Sequence, residues 1–245
     1  MIRKEMISDF QENKALVLKL YQELDKANGN DINQILGKYT NEDYFFRGMH
    51  PFYELYGSGT VADEFWKPLR NALAPIQRRQ DIFIAGINDV DKNTEWVCSM
   101  GHLMGLFDND WLGIKANRKM VFLRYAEFNR IEKGMIAETA LFCDIISLMK
   151  QAGLNALPLQ TGAEFITPGP RTHDGLLFDK KDHKESQETL DLVNQMCIDL
   201  TSSDMESPMD ELKETWQDDM IWYGPSGIGA TYTIDRYQEQ HQGPF

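Results

Sequence analysis

The sequence predicts an α+β protein, a cone-shaped, curved antiparallel β-sheet packed on N-terminal helices, followed by an incomplete second copy of the same arrangement. Three observations predict it. Helical apolar spacing dominates the first seventy residues, long strand-like runs joined by short turns fill residues 79–144, and the opening helical pattern returns after Glu185.

Residues 12–27 place Leu16, Leu20, Tyr21 and Leu24 at helical spacing, and Asn28-Gly29-Asn30 stops that helix. Ile32, Ile35 and Leu36 mark a second, short helix. Asp43-Tyr44-Phe45-Phe46-Arg47-Gly48 reads as an aromatic strand and turn, and residues 60–73 return to helical spacing through Val61, Phe65, Trp66, Leu69 and Leu73. After Pro75 the period changes. Strands are predicted over 79–90, 94–107, 118–131 and 135–144, the last two joined by the turn Glu132-Lys133-Gly134. Gly101 and Gly105 lie inside a long strand, where glycine permits a bend or bulge. Adjacent strands with short turns imply an antiparallel meander, and glycine-bent strands curl into a cone whose mouth can hold a ligand.

Residues 151–184 carry Pro158, Pro168, Pro170, Gly162, Gly169 and Gly175 without a visible period, and read as an ordered connector. From Glu185, Leu190, Val193, Asn194 and Cys197 start a helix like the first one. Met209, Leu212 and Trp216 suggest the short second helix, Asp219–Tyr223 echoes the aromatic strand, and 233–242 is again amphipathic. The expected organisation is therefore 1–150 as one domain, 151–184 as connector and 185–245 as the mainly helical opening of a second domain. A half domain has no sheet on which to bury its helices, so the expectation is a piece of a longer two-domain protein, with docking on the first domain or on another chain as alternatives.

Composition narrows the function. The 245 residues are 42% hydrophobic and 26% charged, enough to bury a core, and the net charge of -13 argues against a nucleic-acid partner. Cys98, Cys143 and Cys197 are too far apart for a CxxC metal pattern and make no disulfide framework. The N-terminus lacks the apolar core of a signal peptide and no apolar run could span a membrane, so a cytoplasmic location is expected. Asp108-Asn109-Asp110 with Gly113 mimics a calcium loop, but Leu112 and Lys119 stand where oxygen ligands are needed. Gly57-Ser58-Gly59 lacks the third glycine of a dinucleotide fingerprint, Gly224-Pro225-Ser226-Gly227 lacks the spacing of a nucleophile elbow, and neither HExxH nor a Walker A lysine occurs.

The order of elements resembles the SnoaL-like polyketide cyclases of the nuclear-transport-factor-2-like (cystatin-like) superfamily. The telling stretch is Glu138-Thr139-Ala140-Leu141-Phe142-Cys143-Asp144, then Ile146-Ser147-Leu148-Met149 and Gln151-Ala152-Gly153: a last strand ending in Asp, then a short helix. RGMHPFYE, QRRQDIFIAG, SMGHLMGLF and FITPGPRTHDGLLFD resemble a two-domain branch of that family. The resemblance implies cyclisation or isomerisation of a hydrophobic carbonyl compound held in the cone, with neither metal nor organic cofactor, in a homodimer. It puts the acid/base at Asp144. A non-catalytic ligand-binding or dimerisation module of the same fold is the alternative.

Alternation places Asp144 on one strand face with Phe142 and Ala140. If that face looks into the cone, an apolar pocket raises the carboxyl's pKa; the competing role is a cap on the helix Ile145–Gln151. His102, in mid-strand, is a second proton-transfer candidate or a core histidine bonded to a neighbour. Arg124 shares a face with Phe122, Ala126 and Phe128 and is expected to seek Asp144 or a substrate oxygen, while Glu127 points the other way. His50, Trp111 and Phe128 complete the candidate substrate-contacting set, against the plainer reading of an exposed loop histidine and core aromatics.

Overall fold

A computed structural model describes residues 10–164, 169–202 and 209–244. The start of the chain and the 165–168 part of the FITPGPRTHDGLLFD motif lie outside the described residues. The chain divides into two compact units: residues 1–154 with 168–180, and residues 155–167 with 181–245. The connector is thus shared out between the units, where the sequence suggested one continuous spacer.

In the first unit, α1 (Gln11–Lys26) buries Val17, Leu20, Tyr21 and Leu24, the one stripe that its apolar spacing defines. Burying each such aliphatic side chain contributes about 1.5–3 kcal/mol. The short α2 (Ile32–Tyr39) buries Ile32, Leu36 and Tyr39. Where one helix was expected over 60–73, the chain runs as α3 (Ser58–Val61), a π-helical turn (Ala62–Trp66) and α4 (Lys67–Ala72), and Leu73 already begins a strand. Val61, Phe65, Trp66 and Leu69 all enter the core.

The sheet has the order β2-β1-β6-β5-β4-β3, formed by β1 (Thr40–Gly48), β2 (Glu54–Tyr56), β3 (Leu73–Ile87), β4 (Glu95–Phe107), β5 (Met120–Glu132) and β6 (Met135–Cys143). The meander β3 to β6 is antiparallel as expected. Two features were not foreseen: the short β2, and the parallel pairing of β1 with β6.

Both strand glycines sit at irregularities of the β3–β4 ladder. The register slips between Gln80 and Ile82 opposite Gly101, and between Leu73 and Ile76 opposite Gly105. A Cβ on Gly101 would stand 2.0 Å from the Arg79 carbonyl oxygen, so only glycine fits that approach. The bulge leaves Asp81 as the extra residue of β3. Residues 169–180 lie along this edge: the Phe83 amide donates to the Gly175 carbonyl at 2.8 Å, and the Leu177 amide donates to the Phe83 carbonyl at 2.8 Å. After β6, α5 (Ile145–Gln151) buries Leu148.

The second unit contains α6 (His183–Ser202), α7 (Met209–Thr215), the hairpin β7 (Ile221–Trp222) and β8 (Thr231–Tyr232), α8 (Ile234–Tyr237) and a second π-helical turn (Gln238–Gln242). Its pairs Ile221↔Tyr232 and Trp222↔Thr231 each stand 176 positions after Phe45↔Tyr56 and Phe46↔Leu55 in the first unit. The two π-helical turns keep the same spacing. A small core gathers Leu212, Ile234 and Tyr237, and Ala163 bridges to Ala230 along the hairpin. No helix among the described residues is long and apolar enough to cross a membrane.

Candidate functional site

Strand alternation decides which side chains of the first unit meet the helices. In β5 the buried residues are Val121, Leu123, Tyr125, Glu127, Asn129 and Ile131, whereas Phe122, Arg124, Ala126 and Phe128 face the other way. In β4 the helix-facing partners are Leu103, Ser99 and Val97, and register puts Arg78 of β3 beside Leu103. The helix-facing side is therefore not wholly apolar. It carries an arginine, a glutamate, an asparagine, a serine and two tyrosines inside the core.

Arg78 is the centre of this group. Its side chain is only 3% exposed, and its Nη1 donates to Glu127 Oε2 at 3.1 Å, with Glu127 equally buried. The guanidinium lies 3.8 Å from the ring centre of Tyr21, 4.9 Å from Tyr125 and 5.9 Å from Trp66. Aromatic faces attract such a cation, more strongly away from water. Asp25, at the end of α1, places Oδ1 3.8 Å from Arg78 Nε, beyond hydrogen-bonding distance. Arg78 Nε and Nη2 are both buried without a hydrogen-bond partner. Each unmet buried donor costs about 1–3 kcal/mol, and more when charged.

Further hydrogen bonds hold the group in place. Asn129 Nδ2 donates to Glu127 Oε1 at 3.2 Å and reaches the Tyr21 hydroxyl at 3.3 Å, while the Thr139 hydroxyl donates to Asn129 Oδ1 at 2.7 Å. The Tyr125 hydroxyl is 2.9 Å from Ser99 Oγ, to which Gln80 also donates at 3.1 Å. Burial pulls the Arg78 pKa down, but the charges that face it, Glu127 and Asp25 among them, carry it above its ordinary value. Burial raises the Tyr21 and Tyr125 hydroxyls, keeping them as neutral donors. Burial also raises Asp25, against the opposing charges of Arg78 and Arg70. Hydrogen-bond donors, a cation and a carboxyl of raised pKa can together bind an oxygen and move a proton. Among the described residues, no cluster of His, Cys, Asp and Glu is arranged to hold a metal ion.

The residues singled out from sequence lie elsewhere. Asp144, Arg124 and Phe128 belong to the face turned away from the helices, which corrects the premise that this face looks into the cone. Phe128 is 39% exposed and Phe142 52%. The structure does bring Arg124 and Asp144 together, Nη2 to Oδ2 at 3.2 Å, and Asp144 Oδ1 accepts from the Ser147 amide at 2.9 Å as the cap of α5. His102 is buried on this outer face, its Nδ1 3.5 Å from Asp81 Oδ2 and its ring edge-on to Phe122. Burial lowers the His102 pKa, although Asp81 pulls it back up. Trp111 is a core residue packed on Phe52 and Phe65, its indole nitrogen buried without a partner. His50 is exposed and bonds to the Tyr53 hydroxyl.

No family model matches the sequence, and no curated protein matches it. Solved structures do. A protein assigned as a SnoaL-like polyketide cyclase from Jannaschia sp. CCS1 is 17% identical, over 63% of this chain and 99% of that chain, with a TM-score of 0.46. AclR of Streptomyces galilaeus, assigned as a hydroxylase, is 16% identical over 60% of this chain and 85% of that one, with a TM-score of 0.48. An NTF2-like protein from Burkholderia thailandensis E264 is 15% identical over 58% of this chain and 97% of that one, with a TM-score of 0.43. The chain spans most of the length of each.

Arg78, Glu127, Tyr21 and Asp25 escaped the sequence reading as a group. A signal was nonetheless present. Tyr21 and Asp25 are four apart on α1, hence on one face, and Tyr125, Glu127 and Asn129 alternate along β5, hence on one face too. Polar residues recurring on both core-facing stripes are the mark of an interior polar group.

Proposed function

We propose that the first unit is a cofactor-independent pocket domain of the polyketide-cyclase kind, which seats an oxygen of a hydrophobic carbonyl compound on Arg78 and cyclises or isomerises that compound by acid–base chemistry. The observation that carries this reading is the pair of buried, unpartnered donors Nε and Nη2 of Arg78. A ligand oxygen would satisfy both at once, and the rings of Tyr21, Tyr125 and Trp66 offer a flat molecule apolar contact. The strand-end motif ending at Asp144 supports the same kind of chemistry by resemblance.

The test is a titration with 2-tetralone, a flat hydrophobic ketone, followed by tryptophan fluorescence. Arg78→Met is expected to weaken binding at least tenfold, about 1.4 kcal/mol. Equal affinity in the variant and the parent protein refutes the reading.

The buried Arg78–Glu127 contact favours a second, non-catalytic reading, in which the pair is a structural element of a ligand-binding or dimerisation module. Replacing a buried ion pair by apolar residues of similar size is often neutral or stabilising by about 1–4 kcal/mol. The double variant Arg78→Met/Glu127→Leu would then be at least as stable as the parent, and 2-tetralone would not bind either protein. Exposed Ile84, Leu106, Met120, Phe128 and Phe142 support the proposed homodimer through the outer face of the sheet. The hairpin recurring 176 residues on supports reading the second unit as related to the first.

A further inference from the structure

We infer that Asp25, at the last turn of α1, is the residue that transfers the proton in this site. The inference rests on the reading that Arg78 seats the carbonyl oxygen. Two carboxylates flank Arg78, and they are not equivalent. Glu127 is 3% exposed and committed, accepting from Arg78 Nη1 at 3.1 Å and from Asn129 at 3.2 Å. Asp25 is 29% exposed, and its carboxylate stands 3.8 Å from Arg78 Nε, beyond hydrogen-bonding distance, and is not committed to it as Glu127 is. A proton-transfer group must reach both the ligand and bulk water in each cycle, and only Asp25 has access to both. An oxygen bound at Nε and Nη2 would bring the neighbouring carbon beside Asp25.

Its setting is costly for a mere surface carboxylate. Asp25 sits at the C-terminal end of a helix, where the backbone dipole disfavours an anion. Arg70 does not pair with the carboxylate; it donates to the backbone carbonyls of Asp25 at 3.3 Å and Ala27 at 3.0 Å, which fixes the helix end and leaves the side chain free to work. Burial also lifts the carboxyl above its ordinary range, toward the pH at which a base is efficient.

The step balances without a co-reactant. The Asp25 carboxylate takes a proton from the carbon next to the carbonyl; that C–H bond breaks and an O–H bond forms on Asp25. The electron pair moves into the carbon–carbon bond and onto the carbonyl oxygen, whose developing charge meets Arg78 Nε and Nη2. Where a carbon–carbon double bond adjoins the enolate, return of the proton from Asp25 to the far carbon of that dienolate completes an isomerisation; alternatively the enolate carbon attacks a second carbonyl of the same molecule, a C–C bond forms, and the resulting alkoxide takes the proton back from Asp25, which completes a cyclisation.

The experiment follows exchange of the 2-tetralone α-protons in deuterated water by proton magnetic resonance, with the full chain. Asp25→Asn is expected to cut protein-promoted exchange about a hundredfold or more while affinity for 2-tetralone changes less than threefold. In the parent protein exchange rises with pH through a carboxylate titration; in Asp25→Asn that rise disappears, and in Asp25→Glu part of it returns. Exchange within threefold of the parent in Asp25→Asn overturns the inference, and so does a parent protein that binds 2-tetralone without promoting exchange. In either case undiminished binding that still requires Arg78 leaves the seating reading intact. A hundredfold loss in Asp144→Asn alone moves the proton to the outer face and overturns the assignment to Asp25. Absence of 2-tetralone binding in the parent defeats both.

Discussion

Helices α1 and α6 open the two units with similar sequences and reach different ends. Val17 of α1 is completely buried, whereas Val193, 176 positions later on α6, is 43% exposed, and Leu192 and Ile198 are exposed with it. Both helices have an apolar stripe; the unit of α1 has a six-stranded sheet, whereas the described residues of the α6 unit form a two-stranded one. Amphipathic spacing therefore writes the helix, but the strands do the burying. Where both units do enclose a position, the correspondence is close: Leu36 is 1% exposed and Leu212 is 4%.

Three substitution pairs, each read as a shift of the urea unfolding midpoint, test that contrast. The largest effect is expected at the position enclosed in both units. Leu36→Ala should cost about 2–5 kcal/mol, and Leu212→Ala should also destabilise its own unit, by less, because the small core there collapses more easily around the gap. An inert Leu212→Ala breaks the comparison, since the second unit would then have no core to lose. Next come the valines: Val17→Ala should cost about 1–3 kcal/mol and Val193→Ala less than about 0.5 kcal/mol. Equal costs would mean that α6 is covered in solution. The smallest effects concern the helix caps. Asp182 accepts from the Lys184 amide at 2.9 Å and the Glu185 amide at 3.2 Å to start α6, as Asp144 does from Ser147 for α5. Asp182→Ala should cost about 0.5–1 kcal/mol, and Asp144→Ala somewhat more, because Arg124 loses a half-buried partner as well. Asp144→Asn should keep most of the cap.

Much of the architecture was legible because it is local. The spacing of Leu16, Leu20, Tyr21 and Leu24 announces α1 nearly to the residue, and the α5 range follows from a capping aspartate before an apolar turn. The four long strands announce themselves by their length and their turn residues. The candidate site was hard to read for a physical reason. In β5 both faces carry large and charged side chains, Arg124 with Phe122 and Phe128 on one, Glu127 with Tyr125 on the other. A period of two separates the faces but does not say which one the helices cover; that is settled by partners far along the chain. Arg78 was visible in the sequence only as one of two adjacent arginines in the QRRQDIFIAG segment. Its neighbour is exposed while Arg78 is enclosed, a distinction that depends on the β3–β4 register rather than on composition. The parallel contact of β1 with β6 is likewise invisible to any local pattern.

That contact has a consequence for how the molecule is made. Thr40 meets Ile136, so the first strand of the six-stranded sheet must wait for the last strand of that sheet to be synthesised before its second edge is filled. Contacts of such long range slow folding, because the loop must close before anything rewards it. On the ribosome, the leucines of α1 and α2 emerge well ahead of their cover. That interval is when a chaperone has most to grip, and when two nascent chains are most prone to stick.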